Sequence, residues 1–256
     1  MIKVPDRHNP KLQGLVEQIN ADAELAQLWR CANVNAVDRS GMSDHGEVHV
    51  HIVANAALRL LRLLAEAGVR PTATVNYSLA QEDCELIVVL GCCLHDVGIA
   101  INRDDHERHS LVIAYPKARQ LLTGIYPEPT LTVVVSEVLH CVIAHRWDVH
   151  TLTLEAGIVK VADALDMSQG RSRIPFEAGQ MNIHSLSAQA VEGVVIEKGS
   201  DRPVRLAITL NNPAGIYQVD ELLKRKLASS TLAPYIEVVA SLPEGDERRL
   251  IEIHKQ

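Results

Sequence analysis

Residues 90–100 read LGCCLHDVGIA. An imidazole and a carboxylate, His95 and Asp96, stand side by side in a run that otherwise has the composition of a core. A buried carboxylate is costly unless it is paired, hydrogen-bonded or bound to a metal. Any fold that encloses this run must bring partners to Asp96 from elsewhere in the chain. That requirement constrains the fold more than helix or strand propensity does.

The chain is long enough for one large domain or two smaller ones, and 47% of its 256 residues are hydrophobic, which argues against global disorder. The formal net charge is −7 and no long Lys/Arg run occurs, so an extended nucleic-acid surface is not expected. Nine of the 12 histidines fall between His45 and His150, a clustering that points to metal or proton chemistry. The five cysteines form no CxxC pair and the start, MIKVPDRHNP, is polar. Reduced cysteines in a cytoplasmic protein are the expectation. The apolar run LIVVLGCCL is too short to span a bilayer, and no membrane partner is expected.

Up to about residue 177 the patterns are helical. A polar first helix is expected over 10–31, followed by a turn-rich loop, NVNAVDRSGMSDHG. Val53, Ala56, Ala57, Leu60, Leu63 and Leu64 recur at spacings of three and four and predict a helix from Glu47 to Ala67, stopped by Gly68 and Pro71. Ser78 and Gln81 are read as a capping box for a helix that runs to His95 or Asp96. Further helices are expected from Asp105 to Leu122, Pro129 to His145 and Thr151 to Met167. Beyond GRSRIPFEAG the texture changes: VEGVVI, VRLAITL, YIEVVASL and RRLIEI read as strands and IYQVDELLKRKLASS as an amphipathic helix. The expected architecture is a mainly α-helical bundle, residues 1–177, followed by a small α+β unit, residues 178–256. Its order is ββαββ, with the helix on an antiparallel sheet.

His49 shares a helical face with Ile52, Val53, Ala56 and Leu60 and points to the core, whereas His51 points to water and His45 flanks the same region. Asp163 sits in the apolar segment VADALD, while Asp166 reads as a surface acid. His49, the His95–Asp96 pair and Asp163 belong to different helices, and a bundle can aim inward side chains from several helices at one point. Two imidazoles and two carboxylates form a mixed N/O donor set suited to Mn, Fe, Co, Ni, Zn or Mg. A bound cation would neutralise both carboxylates.

HVHIVANAAL around His49, LGCCLHDVGIA around His95 and Asp96, and IVKVADALD around Asp163 occur in this order over roughly residues 40–175. The pattern H…HD…D resembles the HD-domain superfamily of metal-dependent phosphohydrolases. The resemblance implies that His49, His95, Asp96 and Asp163 ligate a first divalent metal. It also implies, as in the two-metal members, a second ion held with the help of His109 and His145, ahead of His106 and His140, with Asp96 bridging. The HH pair and GYP motif of cyclic-di-nucleotide phosphodiesterases are absent, which argues against that substrate class. Lys160, one turn before Asp163, and Arg171, after that helix, are the expected substrate-binding cations, and Asp96 the expected catalytic residue.

The resemblance implies hydrolysis of a nucleotide or other small phosphate ester by a metal-activated water, with one or two ions. Two alternatives stay open: a di-iron oxygenase of the same superfamily, and a regulatory protein whose tail binds a small ligand. For the second, RLAITLNNPAGIYQVDELLKRKL resembles the strand–loop–helix of ACT-like domains. The tail reads equally as a dimerisation unit with an exposed sheet edge, making the protein a homodimer.

Overall fold

The structure is a computed structural model that describes residues 1–167, 187 and 189–242, together with the backbone of 247–249. Its helical part comprises α1 (Pro10–Ala21), α2 (Ala23–Asn33), α3 (Glu47–Glu66), α4 (Thr72–Tyr77), α5 (Gln81–Leu94), α6 (His106–Leu122), α7 (Thr130–Ala144) and α8 (Leu154–Leu165). The C-terminal unit holds β1 (Val191–Lys198), β2 (Val204–Leu210), α9 (Lys224–Ala228), β3 (Ile236–Ser241) and β4 (Glu247–Arg249). A helical domain followed by a small α+β unit is the architecture expected from the sequence. The boundary at 177/178 lies outside the described residues.

α5 lies at the centre, packed against α3, α7 and α8. Every residue from Asp83 to Leu94 is buried, and so is every residue of α8. Helices enclosed on all sides are apolar all round, which accounts for the unbroken hydrophobic run before His95. α3 is amphipathic instead, burying Val53, Ala57, Leu60, Leu61 and Leu64 against α5 and α8. The ends of α5 and α8 and the first turn of α3 meet at one level, which is where the polar residues of the core collect.

Several local features differ from expectation. The first helix is broken in two because Asp22 adopts extended geometry and its carboxylate accepts the Leu25 N–H, capping α2. The buried Lys117 of α6 then bonds to Asp22 at 2.7 Å and Glu24 at 2.6 Å, tying α6 to this corner. Part of the expected loop continues α2 as a wider turn, Val34–Arg39. Ser78 is no N-cap: it takes left-handed backbone and ends α4, a helix not foreseen. The start of α5 is capped instead by Asp83, whose carboxylate accepts the Ala80 N–H at 3.0 Å.

The sheet order is β1-β2-β3-β4, with β1–β2 and β3–β4 antiparallel and β2–β3 parallel. The parallel middle pair corrects the expected all-antiparallel sheet. A helical crossover between two strands returns the chain to its starting end, so the second strand runs parallel to the first. Gln218–Leu223 and α9 form that crossover and bury Val219, Leu223 and Leu227. The sheet leans on α3, where Arg59 donates to the Ile196 carbonyl at 3.2 Å.

Gly98, in the short turn Val97–Ala100 after α5, fixes how α6 approaches. A Cβ here would stand 2.2 Å from the His106 carbonyl oxygen and 2.3 Å from the Ser110 nitrogen. Gly98 donates to Ser110 Oγ, which in turn donates to the His95 carbonyl at 2.6 Å. The start of α6 is thereby clamped to the end of α5. Gly98→Ala should therefore lower stability by roughly 1–3 kcal/mol in denaturant unfolding.

Glu137 of α7 is buried and its Oε2 meets no hydrogen-bond partner among the described residues. Burial, and secondarily the nearby Glu155, raise its pKa to about 7. The unfolded chain ionises this group near pH 4.5, the folded chain only near 7, so folding stability falls as pH rises through that window. Glu137→Gln should abolish that loss and be relatively more stable at pH 8 than at pH 4.5 by roughly 2–4 kcal/mol in pH-dependent unfolding.

Candidate metal centre

Four histidines converge at the end of α5, each through Nε2. His49 Nε2 lies 3.2 Å from His95 Nε2, and His106 Nε2 lies 3.2 Å from His145 Nε2. Asp96 sits between the two pairs and divides its oxygens. Oδ2 faces His95 at 3.2 Å and His49 at 3.5 Å; Oδ1 faces His106 at 3.1 Å and His145 at 3.5 Å. Asp163 Oδ1 completes the first group, 3.3 Å from His49 Nε2 and 3.8 Å from His95 Nε2.

These spacings fit a metal ion. Ligand bonds of about 2.1 Å imply neighbouring donors roughly 3.0–3.4 Å apart in octahedral or tetrahedral geometry. The sets His49–His95–Asp96 and Asp96–His106–His145 both meet the requirement of mutually close, buried donor atoms. A mixed N/O set of this kind suits a divalent cation. His49, His95, Asp96 and Asp163 are brought together as the sequence pattern indicated.

The outer nitrogens explain why Nε2 points inward. His95 Nδ1 lies 2.7 Å from the Cys92 carbonyl, and His145 Nδ1 lies 2.6 Å from the Val142 carbonyl, so both donate outward and turn Nε2 to the centre, where His95 becomes a ligand on losing its Nε2 proton. His49 Nδ1 lies 2.6 Å from Asp166 Oδ2. Asp166 is therefore no surface acid: it is buried and holds the His49 ring from behind. His106 is set differently, since Arg103 offers its Nδ1 both a carbonyl at 3.1 Å and a guanidinium nitrogen at 2.7 Å. While the guanidinium donates there, the ring proton sits on Nε2 and is directed at Asp96. The first donor set takes a cation in exchange for the His95 proton, whereas the second also requires Arg103 to yield.

The structure places His106, not His109, beside Asp96 and His145. Both lie on the same side of α6, but His109 is one turn farther on, about 4.5 Å along the axis. α6 begins at His106 directly beside the end of α5, so only its first residue is level with Asp96. His140 accepts a hydrogen bond from the Leu152 N–H at 3.0 Å, and His51 from the Lys3 N–H at 3.1 Å. His45 is buried next to His49, with ring centroids 5.5 Å apart.

The electrostatics follow from burial and close charges. Burial pushes Asp96 and Asp163 up, but His95 with the other imidazoles for Asp96, and Lys226 with His49 and His95 for Asp163, hold both well below the carboxylate range. Burial likewise pulls His95 down, yet Asp96 and Asp163 raise it to about 9. His145 is held below the ordinary value, chiefly by burial, and is neutral. Lys160 is enclosed, donates to the Val149 carbonyl at 2.5 Å and is lowered to about 8 by burial and by Lys226. Arg171 lies outside the described residues. Nothing in the local sequence pattern marks Lys226, which reaches Asp163 from α9.

Two substitutions separate these roles. Asp166→Asn should weaken binding of the first ion by about 10–100-fold in competition with a chelator, because the His49 ring loses its orienting carboxylate. His106→Ala should remove any second equivalent of metal, while His109→Ala should leave the stoichiometry unchanged.

Comparisons with known proteins agree with the geometry. The HD domain family matches residues 45–168, a span containing every donor named above. The uncharacterized protein MJ1020 of Methanocaldococcus jannaschii is 36% identical over 231 residues, covering 90% of this chain and 88% of that protein. A match of that length runs past residue 168 into the C-terminal unit, whereas the family match does not reach it, so the ACT-like resemblance of the tail gains no support from it. No solved structure gives a significant match. With its H…HD…D residues gathered into one buried N/O cluster inside that match, the chain belongs to the HD-domain superfamily.

Proposed function

We propose that the protein is a metal-dependent phosphohydrolase acting on a nucleotide or another small phosphate ester. The observation that carries this reading is the convergence of His49, His95, Asp96 and Asp163 at ligand spacing, with Asp96 turning its second oxygen to His106 and His145. His49, His95, Asp96 and Asp163 would hold a divalent ion, which would supply a Lewis acid for a phosphoryl oxygen and a water acidic enough to ionise near neutrality.

The chain's own residues do the rest. Asp96 is ionised and contacted on both oxygens, so it orients the attacking water and stays a carboxylate. His145 is neutral and buried at Asp96 Oδ1, which makes it the proton acceptor when a single ion occupies the first set. Lys160, one turn before Asp163 on α8, is enclosed and bonded to the Val149 carbonyl, so it adds at most positive potential from within the core. The apolar walls of α5 and α8 keep bulk water out, which strengthens each of these interactions.

The second donor set, Asp96–His106–His145, also supports a reading as a di-iron oxygenase, because its three donor atoms lie close enough together to share a second ion. Metal analysis separates the two. One or two equivalents of a divalent metal with phosphate release from a panel of nucleotides and phosphomonoesters support the hydrolase. Two irons without phosphate release support the oxygenase. Within the hydrolase reading, Asp96→Ala is expected to lose metal and phosphate release together. Full activity in a metal-free Asp96→Ala protein would sink the proposal.

A further inference from the structure

Asp163 divides its oxygens as Asp96 does. Oδ1 faces His49 and His95, and Oδ2 receives the ammonium of Lys226. Among the described residues no other lysine or arginine makes an ion pair with Asp96 or Asp163. Lys226 lies on α9, outside the HD-domain match at 45–168. The family pattern therefore does not account for it.

Its position is fixed by packing. Leu223 and Leu227, on either side of it, are buried, and Lys226 is left half-buried between them. One turn later the chain is bolted to the approach and start of α8. The Thr151 N–H donates to the Ser229 carbonyl at 3.1 Å, Thr231 N–H to Thr151 Oγ1 at 2.8 Å, and Thr231 Oγ1 to the Thr153 carbonyl at 2.8 Å. Ser229 Oγ donates to the Trp147 carbonyl at 2.9 Å, two residues after His145. Gly157 of α8 permits the approach: a Cβ there would stand 2.4 Å from Thr231 Oγ1. The contacts run without interruption from the loop after His145 to the helix carrying Asp163.

We propose that Lys226 is a positioning residue by which the C-terminal unit holds the substrate's phosphoryl group at the metal centre, an inference that rests on the phosphohydrolase reading. The ammonium carries three donors and uses one on Asp163 Oδ2. Its partial exposure leaves the others able to face a phosphoryl oxygen bound on the same side of Asp163. A cation held in part by Asp163 Oδ1 would draw charge from that carboxylate and weaken its hold on Lys226. Lys160 cannot take this role directly, because it is fully enclosed and its ammonium is committed to Val149. On this account the tail is part of the active site.

The test titrates inorganic phosphate by calorimetry into protein loaded with its divalent metal, for the native chain, Lys226→Gln and Lys226→Arg. Metal affinity is measured in parallel by chelator competition, and folding by thermal unfolding. Loss of a charge-assisted hydrogen bond predicts phosphate binding weaker by roughly 10–100-fold in Lys226→Gln, with recovery in Lys226→Arg. Metal stoichiometry should be unchanged, and metal affinity equal or tighter. Equal phosphate affinity in the native protein and Lys226→Gln would overturn the role of Lys226 and leave the hydrolase reading standing. So would loss of the metal from Lys226→Gln, which would make the contact a structural tether. Failure of the metal-loaded native protein to bind phosphate would overturn both.

Discussion

Asp96 is a carboxylate enclosed by four imidazoles, and much of the molecule is arranged to make that tolerable. Its two oxygens are both contacted, one by His49 and His95 and the other by His106 and His145. Removing charge from water costs several kcal/mol per ion, and only close opposite charge or good hydrogen bonds offset it. His95, raised to about 9, supplies one such charge to Asp96, and Lys226 supplies one to Asp163. A divalent cation would replace the His95 proton with a stronger and better centred charge. Metal binding is thereby coupled to proton release and to the stability of the core.

The fold serves that constraint. α5 ends at Leu94, just before the HD pair, and α8 and α3 supply Asp163 and His49 from two sides. The Gly98–Ser110–His95 chain of contacts sets the height at which α6 begins, and so brings His106 level with Asp96. Backbone carbonyls of Cys92 and Val142 fix two rings without any side chain. Such orienting contacts hold each donor within a few tenths of an ångström of ligand spacing before any cation arrives. The C-terminal unit then closes one side through the threonines at 151, 153 and 231.

The centre was legible in the sequence where burial and chemistry conflict. His49, His95, Asp96 and Asp163 stood out because polar ligands in apolar helices need a reason, and the helical periodicity that marked them is local. The failures were questions of level and distance. Helical phase alone cannot separate His106 from His109, since both lie on one side of α6, and the deciding fact is where α6 starts. Asp166 looked exposed because it follows the last turn of α8, yet it is buried with its Oδ2 2.6 Å from His49 Nδ1, a partner 117 residues away. Asp22 splits the first helix by capping α2 locally at Leu25, and it is held there by Lys117, 95 residues away. The parallel β2–β3 pairing follows from the strand–helix–strand order that the local patterns do show, whereas the meeting of Lys226 with Asp163 is a long-range contact that no local pattern encodes.

The most direct measurement is anomalous diffraction from crystals of the protein grown with manganese or another divalent transition metal. The account predicts a peak within bonding distance of His49 Nε2, His95 Nε2, Asp96 Oδ2 and Asp163 Oδ1. A second, if present, should lie toward His106 and His145 across Asp96. A well-ordered cluster with no peak at that position, and metal only on surface histidines, would contradict it and leave the His–Asp cluster as a structural network.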